Sequence, residues 1–401
     1  MKKIVKKMAV IIVAFTALIL CSCEKKSDYQ IDKYSTFQAG FSRPLGNEMI
    51  ESPDGFYLLS DEFLTFFDKK LENPVLVCDR VECRHNEEDK EHMLECNAFY
   101  SNPQDIKYYN DHLYIAANAM LNEPAVSIYE TDLDGNNRKV LYTQKNPGEF
   151  IFLIYKGDLI ICEQEYKDDN ILTTLIRFPM YDRDQITTIF TSEDTRVKDS
   201  HINYMVNDGE TLYFTFINKE NSLDTSFYAI DLKTNEIKQL CKEINLSLDI
   251  GRDRLIGTEN IENDNERMTW KNKLYQYSKD GTIEKEITEE DYAALSQGAS
   301  LSGMDNEYVY LSDICYGANA LPKEDRYHYI YTYEGKEAGK IRQTGTSSWY
   351  FYPGNEEYVV ISDWLSNTEK VFYKVDKTKF VEEKPIELKE FYRYDRMEFS
   401  S

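Results

Sequence analysis

The sequence has little positive charge, glycine or proline, and this excludes several classes of protein. Its 401 residues include 47 Lys and Arg against 71 Asp and Glu, a formal net charge of −24. Binding to nucleic acid needs a basic face, so we expect no nucleic-acid partner. Only 17 Gly and 10 Pro are present, which excludes collagen-like and low-complexity chains. Hydrophobic residues make up 42% of the chain, enough for a packed core.

The sequence also lacks the motifs of common enzyme classes. It has no Gly-x-Ser-x-Gly elbow, no His-Glu-x-x-His motif and no glycine-rich phosphate loop. Paired carboxylates hydrolyse glycosides in many enzymes, but 71 acidic residues do not single out a pair. The sequence does not decide whether the protein is an enzyme, and a non-catalytic role is the one we expect.

The N-terminus carries the pattern of a lipoprotein signal peptide. Lysines precede a run of 13 apolar or small residues, 8–20, which has the length of a secretory signal. A membrane-spanning helix needs about 20 apolar residues. The next residues, Leu20-Cys21-Ser22-Cys23, resemble a bacterial lipobox with Cys23 as the modified residue. We therefore predict that residues 1–22 are a signal peptide and that Cys23 is lipidated.

This N-terminus predicts a location on the extracytoplasmic side of a bacterial cell membrane, attached through the N-terminal lipid. Loss of residues 1–22 removes four lysines and changes the net charge from −24 to −28. Such a charge keeps a tethered domain soluble and away from anionic headgroups. Residues 23–44 are predicted to be the lipidated cysteine and a polar tether.

Residues 45–401 repeat one unit about fifty residues long. Each unit has a short strand, a second strand that runs into an acidic turn, and a further strand, with the period-two alternation of half-buried strands. Seven such units predict an all-β fold, a β-propeller of seven four-stranded blades; six or eight blades also fit. We expect the first and last repeats to share a blade and so close the ring. The acidic turns contain Asp68, Asp132, Asp182, Asp231, Asp280, Glu334 and Asp376.

Two segments of this repeat resemble a known family. The turn Ser52-Pro53-Asp54-Gly55 and the hairpin at 128–136 resemble the repeats of TolB-like propellers. They are closer still to uncharacterised propeller lipoproteins of anaerobic Firmicutes, whose domain has no known function. The resemblance spans about residues 45–385 and implies a propeller that docks or binds in the cell envelope. It implies little more, because propellers serve as scaffolds, binders and enzymes.

The longest interval between turns contains a cluster of cysteine and histidine. The insertion at 78–103 holds Cys78, Cys83, His85 and Cys96. Three thiolates and an imidazole are a tetrahedral set for a structural Zn²⁺. One disulfide with a free thiol, or three simple buried thiols, are the alternatives. In each case we expect the insertion to hold together a loop that cannot build its own core.

Aromatic residues are concentrated near the C-terminus. Trp349, Tyr350, Tyr352 and Trp364 form the densest group and are a candidate binding cluster, because aromatic faces stack on sugars and cations. Alternating aromatics also fill the space between propeller blades, so packing is the alternative.

These features predict a lipid-anchored, extracytoplasmic β-propeller that acts as a binding or scaffold module of the cell envelope. We expect the binding surface at the channel mouth, where the blade loops meet, and an envelope protein or a glycan as partner. The alternative is an envelope glycan hydrolase or lyase with carboxylates in the propeller channel.

Overall fold

Seven antiparallel sheets follow one another along the chain as the blades of a β-propeller, which confirms the predicted fold and blade number. The structure is a computed structural model. The predicted signal peptide 1–22 and Cys23 lie outside the residues that it describes. Those residues are 37–41, 48–60, 62–83, 85, 93, 95–119, 125–144, 150–167, 170–192, 201–218, 224–241, 247–250, 255–264, 269–278, 280–305, 307–313, 321–343, 350–352, 357–366, 369–380 and 385–395.

One strand, β1 (Phe37–Phe41), precedes the first three blades. Blade 1 comprises β2 (Met49–Glu51), β3 (Gly55–Ser60), β4 (Phe63–Asp68) and β5 (Val75–Leu76). Blade 2 comprises β6 (Asp105–Tyr109), β7 (His112–Asn118), β8 (Val126–Asp132) and β9 (Lys139–Thr143). Blade 3 comprises β10 (Ile151–Tyr155), β11 (Asp158–Lys167), β12 (Asn170–Pro179) and β13 (Thr187–Thr191).

The remaining blades continue the same order. Blade 4 comprises β14 (His201–Asp208), β15 (Thr211–Asn218), β16 (Asp224–Asp231) and β17 (Ile237–Cys241). Blade 5 comprises β18 (Ser247–Ile250), β19 (Leu255–Asp264), β20 (Thr269–Tyr277) and β21 (Ile283–Ile287). Blade 6 comprises β22 (Ser300–Met304), β23 (Tyr308–Ser312), β24 (Tyr327–Thr332) and β25 (Glu337–Arg342). Blade 7 comprises β26 (Tyr350–Tyr352), β27 (Tyr358–Trp364), β28 (Glu369–Asp376) and β30 (Lys389–Asp395). Along the chain, β29 (Pro385–Ile386) lies between β28 and β30 but is not part of this sheet. Short 3-10 helices occupy Arg183–Gln185, Ala293–Gln297, Lys323–Asp325 and Lys377–Lys379.

The predicted acidic turns follow the third strand of each blade and have a defined local role. Asp231 Oδ1 accepts the backbone N–H groups of Lys233 and Thr234 at 2.7 and 3.1 Å. Asp68 Oδ1 accepts those of Lys70 and Glu72 at 2.9 and 3.0 Å. A carboxylate in this position replaces the hydrogen bonds that the chain loses as it leaves the strand.

The hydrophobic core lies between the blades. Seven clusters of buried side chains each span one pair of neighbouring blades, and the seventh joins blade 7 to blade 1. In that last contact, here called the seam, Phe56, Leu58 and Phe67 of blade 1 pack against Val360 and Phe372 of blade 7. Apolar packing therefore joins the first and last blades of the ring.

The expectation that the first and last repeats share a blade is wrong. Blade 1 is built only from the start of the chain, and blade 7 only from its end. The physical reason is that the seam is held by packing and charge: Lys374 Nζ lies 3.2 Å from Glu72 Oε1, and Lys389 Nζ lies 3.4 Å from the same atom. One strand crosses between blades elsewhere, since β29 pairs in parallel with β25 and so ties blade 7 to blade 6.

The strand β1 lies within residues that the sequence analysis assigns to the polar tether. It pairs antiparallel with β14, the innermost strand of blade 4, and also contacts β10 of blade 3. The segment that leads into the propeller therefore occupies the channel side of these two blades. No helix in the described part of the chain is long and apolar enough to span a membrane.

Candidate metal centre and adjacent cavity

The Cys/His insertion covers the outer edge of blade 1. The outer strand β5 has only two residues, so most of the outer edge of β4 lacks a regular neighbour, although its inner edge is fully paired with β3. The insertion supplies that neighbour: the N–H of Leu64 donates to the carbonyl of Ala98 at 2.8 Å, and Phe63 forms an antiparallel bridge with Phe99. Unpaired strand edges promote aggregation, so this cover has a structural purpose.

Folding brings the four predicted ligands together. One donor atom each from Cys78, Cys83, His85 and Cys96 lies within 4.8 Å of the other three. His85 Nδ1 lies 3.3 Å from Cys83 Sγ and 3.4 Å from Cys96 Sγ. Zn–S bonds of about 2.3 Å and Zn–N bonds of about 2.0 Å place ligand atoms about 3.5 to 3.8 Å apart in a tetrahedron. The donor set therefore fits one small ion.

The backbone and the burial of the site favour this convergence. His85 has a φ of +49°, a left-handed conformation that few non-glycine residues adopt. Cys96 is 1% exposed and packs with Met93, Ala98 and Phe99 in a small apolar cluster against Phe63. Because this cluster excludes water on one side, the site is partly enclosed before any ion binds.

The cysteines differ in acidity. Burial opposes ionisation of Cys78, but hydrogen bonds from the backbone N–H groups of Arg80 and Asn97 and from the thiols of Cys83 and Cys96 together outweigh it and lower the pKa of that thiol. Burial and the neighbouring Cys83 raise the pKa of Cys96 to about 12. Cys78, Cys83 and Cys96 are free thiols in the structure, so no disulfide joins them.

A turn of blade 2 forms hydrogen bonds with the insertion. Arg138 Nη2 donates to the carbonyl oxygens of Cys96 and Asn97 at 2.9 and 2.5 Å, and its guanidinium lies 4.2 Å from the Tyr100 ring centroid. Asn136 Nδ2 donates to Asp79 Oδ2 at 2.8 Å. Sequence reasoning missed these supports, because nothing in the order of residues links 136–138 to the insertion.

A cavity of about 300 Å³ lies next to the cluster, at the seam. Its wall includes His85 from the insertion, Ser60, Phe63 and Thr65 from blade 1, and Tyr392 and Tyr394 from β30 of blade 7. Ser60 is 5% exposed, and its hydroxyl has no hydrogen-bond partner among the described residues. The sequence carried no signal for this cavity, because its two walls come from opposite ends of the chain.

The predicted aromatic cluster is only partly described. Trp349 lies outside the described residues, while Tyr350 and Tyr352 lie on β26, the inner strand of blade 7. Trp364 lies at the end of β27, where its ring meets Tyr394 edge to face at a centroid distance of 6.0 Å. Trp364 therefore contacts a residue that lines the seam cavity.

Among the described residues of the channel, the carboxylate of Asp105 does not suit the glycan-active alternative. On the inner strand β6, Asp105 is buried and both of its carboxylate oxygens lie 2.7 Å from Lys107 Nζ. Beside it, β1 occupies the channel side of blades 3 and 4. A carboxylate paired with lysine is not a proton donor, so the enzyme alternative is not favoured.

Several solved structures are similar to this chain. One of two prolyl endopeptidases matches with a TM-score of 0.52 at 10% identity over 96% of this chain and 54% of its own. The propeller domain of the trilobed protease from Pyrococcus furiosus matches with a TM-score of 0.49 at 12% identity, over 88% of this chain and 98% of that domain. TolB from Acinetobacter baumannii matches with a TM-score of 0.39 at 12% identity, over 86% and 78% of the two chains.

The class of protein is therefore a seven-bladed β-propeller, and the chain spans about half the length of the endopeptidase. No protein-family model and no curated protein matches the sequence. The predicted resemblance is confirmed only at the level of the β-propeller fold, and membership of a TolB-like or lipoprotein family stays a prediction. Identities this low show the fold alone.

Proposed function

We propose that this protein is a binding or scaffold module of the bacterial cell envelope, anchored by a lipid on Cys23 on the extracytoplasmic side. The observation that carries the scaffold role is the closed set of four donors at the edge of blade 1, where they can hold a loop in place. A catalytic metal keeps a coordination position open for water or substrate, whereas this set fills all four. The lipobox-like segment 20–23 supports the anchor.

The Cys/His insertion is proposed to hold one structural Zn²⁺ through Cys78, Cys83, His85 and Cys96. The lowered pKa of Cys78 and the backbone N–H groups around it favour a thiolate there. The ion would cross-link the insertion internally and so hold it in place over the outer edge of β4. Metal binding of this kind contributes directly to folding.

Metal analysis with thiol titration tests the zinc. The full chain is purified in mild detergent without chelator. We expect about one zinc per chain, lost in Cys83→Ser and kept in Cys162→Ala, whose cysteine is buried on β11 away from the insertion. If no zinc is found and two of the three clustered thiols react only after reduction, a disulfide holds the insertion together instead. If no zinc is found and all three thiols react without reduction, the three cysteines are simple buried thiols.

Membrane fractionation with mass analysis of the N-terminal peptide tests the anchor. In a bacterial host, we expect the wild-type chain in the membrane fraction with a lipid on Cys23. Cys23→Ser should lose the lipid, and Cys21→Ser is the matched control that should keep it. A lipid on Cys21, or none, would overturn the proposal.

A further inference from the structure

We propose that the seam cavity binds one neutral sugar ring, such as the end of a glycan chain. This inference deepens the proposed function, on which it rests: the binding module would recognise its ligand at the seam and not at the channel mouth. His85 belongs to both the candidate zinc site and the cavity wall, so the metal would hold one wall of the binding site in place.

The size of the cavity limits the ligand. Its volume of about 300 Å³ is at the lower end of the range for small-molecule sites. The cavity therefore has room for one pyranose ring. Its opening at the protein surface lets the rest of a glycan remain outside. A longer buried segment would not fit.

The polar groups of the wall are suited to hydroxyl groups. Ser60 Oγ is buried and has no partner among the described residues, and Thr65 beside it is 4% exposed. A buried hydroxyl without a partner is unfavourable, and a ligand hydroxyl would satisfy it. His85 Nδ1 faces the cysteine sulfurs, which leaves Nε2 as the ring nitrogen that can meet a ligand.

The aromatic groups of the wall are suited to the apolar face of a sugar. Tyr392 and Tyr394 are two positions apart on β30 and so point to the same side of the strand. Their rings are held by neighbours, Tyr392 by Phe67 at a centroid distance of 5.4 Å and Tyr394 by Trp364 at 6.0 Å. Rings fixed in this way lose little freedom when a ligand stacks on them.

The charge of the wall indicates a neutral ligand. Apart from His85, the described residues of the cavity wall include no acidic or basic side chain. The whole chain has a net charge of −24, which disfavours the approach of anionic sugars to the protein.

Ligand-observed NMR titration of the full chain in detergent tests the proposal. The probes are the methyl glycosides of glucose, galactose, mannose, rhamnose, N-acetylglucosamine and N-acetylgalactosamine, with p-cresol as an aromatic control. We expect at least one glycoside to bind saturably. Ser60→Ala and Tyr394→Leu should each weaken it tenfold or more. Tyr181→Leu is the matched control, because Tyr181 is 68% exposed and does not line the cavity.

Ser60→Ala separates binding from folding. Since the Ser60 hydroxyl makes no hydrogen bond with the described residues, its removal should leave the melting temperature of the sugar-free protein unchanged or raise it, while sugar binding falls. Binding of p-cresol alone, binding of no glycoside, or an equal effect of Tyr181→Leu would each overturn the proposal.

Zinc content measured on the same samples separates this proposal from the preceding one. Glycoside binding lost on treatment with a chelator supports both. If a protein without zinc binds a glycoside and the binding depends on Ser60, the sugar-binding proposal is supported and the zinc proposal is overturned. If zinc is present and no glycoside binds, only the sugar-binding proposal is overturned.

Discussion

Lys370 in blade 7 forms an ion pair with Glu48, which precedes blade 1 and lies 322 positions earlier in the chain. The Lys370 side chain is 2% exposed and its ammonium group lies 5.1 Å from the Phe372 ring centroid, whereas the Glu48 side chain is 34% exposed. A buried lysine at the seam thus meets a carboxylate from the opposite end of the chain. The two ends of the propeller recognise each other by charge as well as by apolar packing.

Glu48→Gln should destabilise the protein by about 2 kcal/mol, because it removes the Glu48 carboxylate from the buried Lys370 ammonium. Lys370→Met should cost less, since methionine keeps the packing against Phe372. Urea unfolding of both single variants and of the double variant measures the coupling. Strictly additive effects would show that the pair contributes nothing to the seam.

Phe67→Ala at the seam should cost about 3–5 kcal/mol, as for any fully buried phenylalanine. Phe67 is 0% exposed and contacts Phe391 edge to face at 5.3 Å. Phe214→Ala, between blades 3 and 4, is the control, because Phe214 is also 0% exposed. Equal losses in denaturant unfolding would show that the seam is packed as tightly as the other blade contacts; a much smaller loss for Phe67→Ala would show a loose seam.

Gly135→Ala should disturb the Cys/His insertion. Gly135 has a φ of +85°, and a Cβ there would lie 2.5 Å from the Val77 carbonyl oxygen, next to Cys78. Gly209 has a φ of +63° with nothing within 4 Å, so Gly209→Ala should cost only about 1 kcal/mol for the left-handed backbone. Thermal unfolding should show a larger loss for Gly135→Ala, with reduced zinc content in that variant alone. Equal losses would contradict the close contact.

His328 should make the protein sensitive to acid. It is 1% exposed, and burial holds its pKa well below 6.5. The neutral ring therefore stabilises the fold above pH 6.5. That contribution is lost as the pH falls from 6.5 toward the folded pKa, by up to about 1.4 kcal/mol per pH unit.

His328→Asn tests this sensitivity, since the asparagine oxygen can replace Nδ1 toward Ser312. Unfolding free energies between pH 7.5 and 5 should fall less steeply in the variant than in the wild type. Parallel curves would show that protonation of His328 does not drive the acid sensitivity.

Local features of the fold were predictable from the sequence. The repeat of about fifty residues predicted seven blades, and acidic residues such as Asp68 and Asp231 marked the turn after the third strand of a blade. These signals are local: a period-two pattern and a carboxylate turn depend on a few neighbouring residues.

The candidate site was predictable in part. Composition and spacing singled out Cys78, Cys83, His85 and Cys96, because four metal ligands in 19 residues are unusual. The hydrogen bonds from Asn136 to Asp79 and from Arg138 to the Cys96 carbonyl, and the cavity beside His85, were not predictable, since each depends on how blade 1 meets its neighbours.

The sequence by itself determined the strands, the number of blades and the ligands of the candidate metal centre, since these follow from neighbouring residues. Only the tertiary structure decided how the ring closes, where β1 lies and that Ser60 and Tyr394 face one cavity. Contacts between residues more than 300 positions apart, such as Glu48 with Lys370, leave no pattern in the order of the chain. They exist because apolar blade faces must be buried against each other, and that burial brings the two ends together.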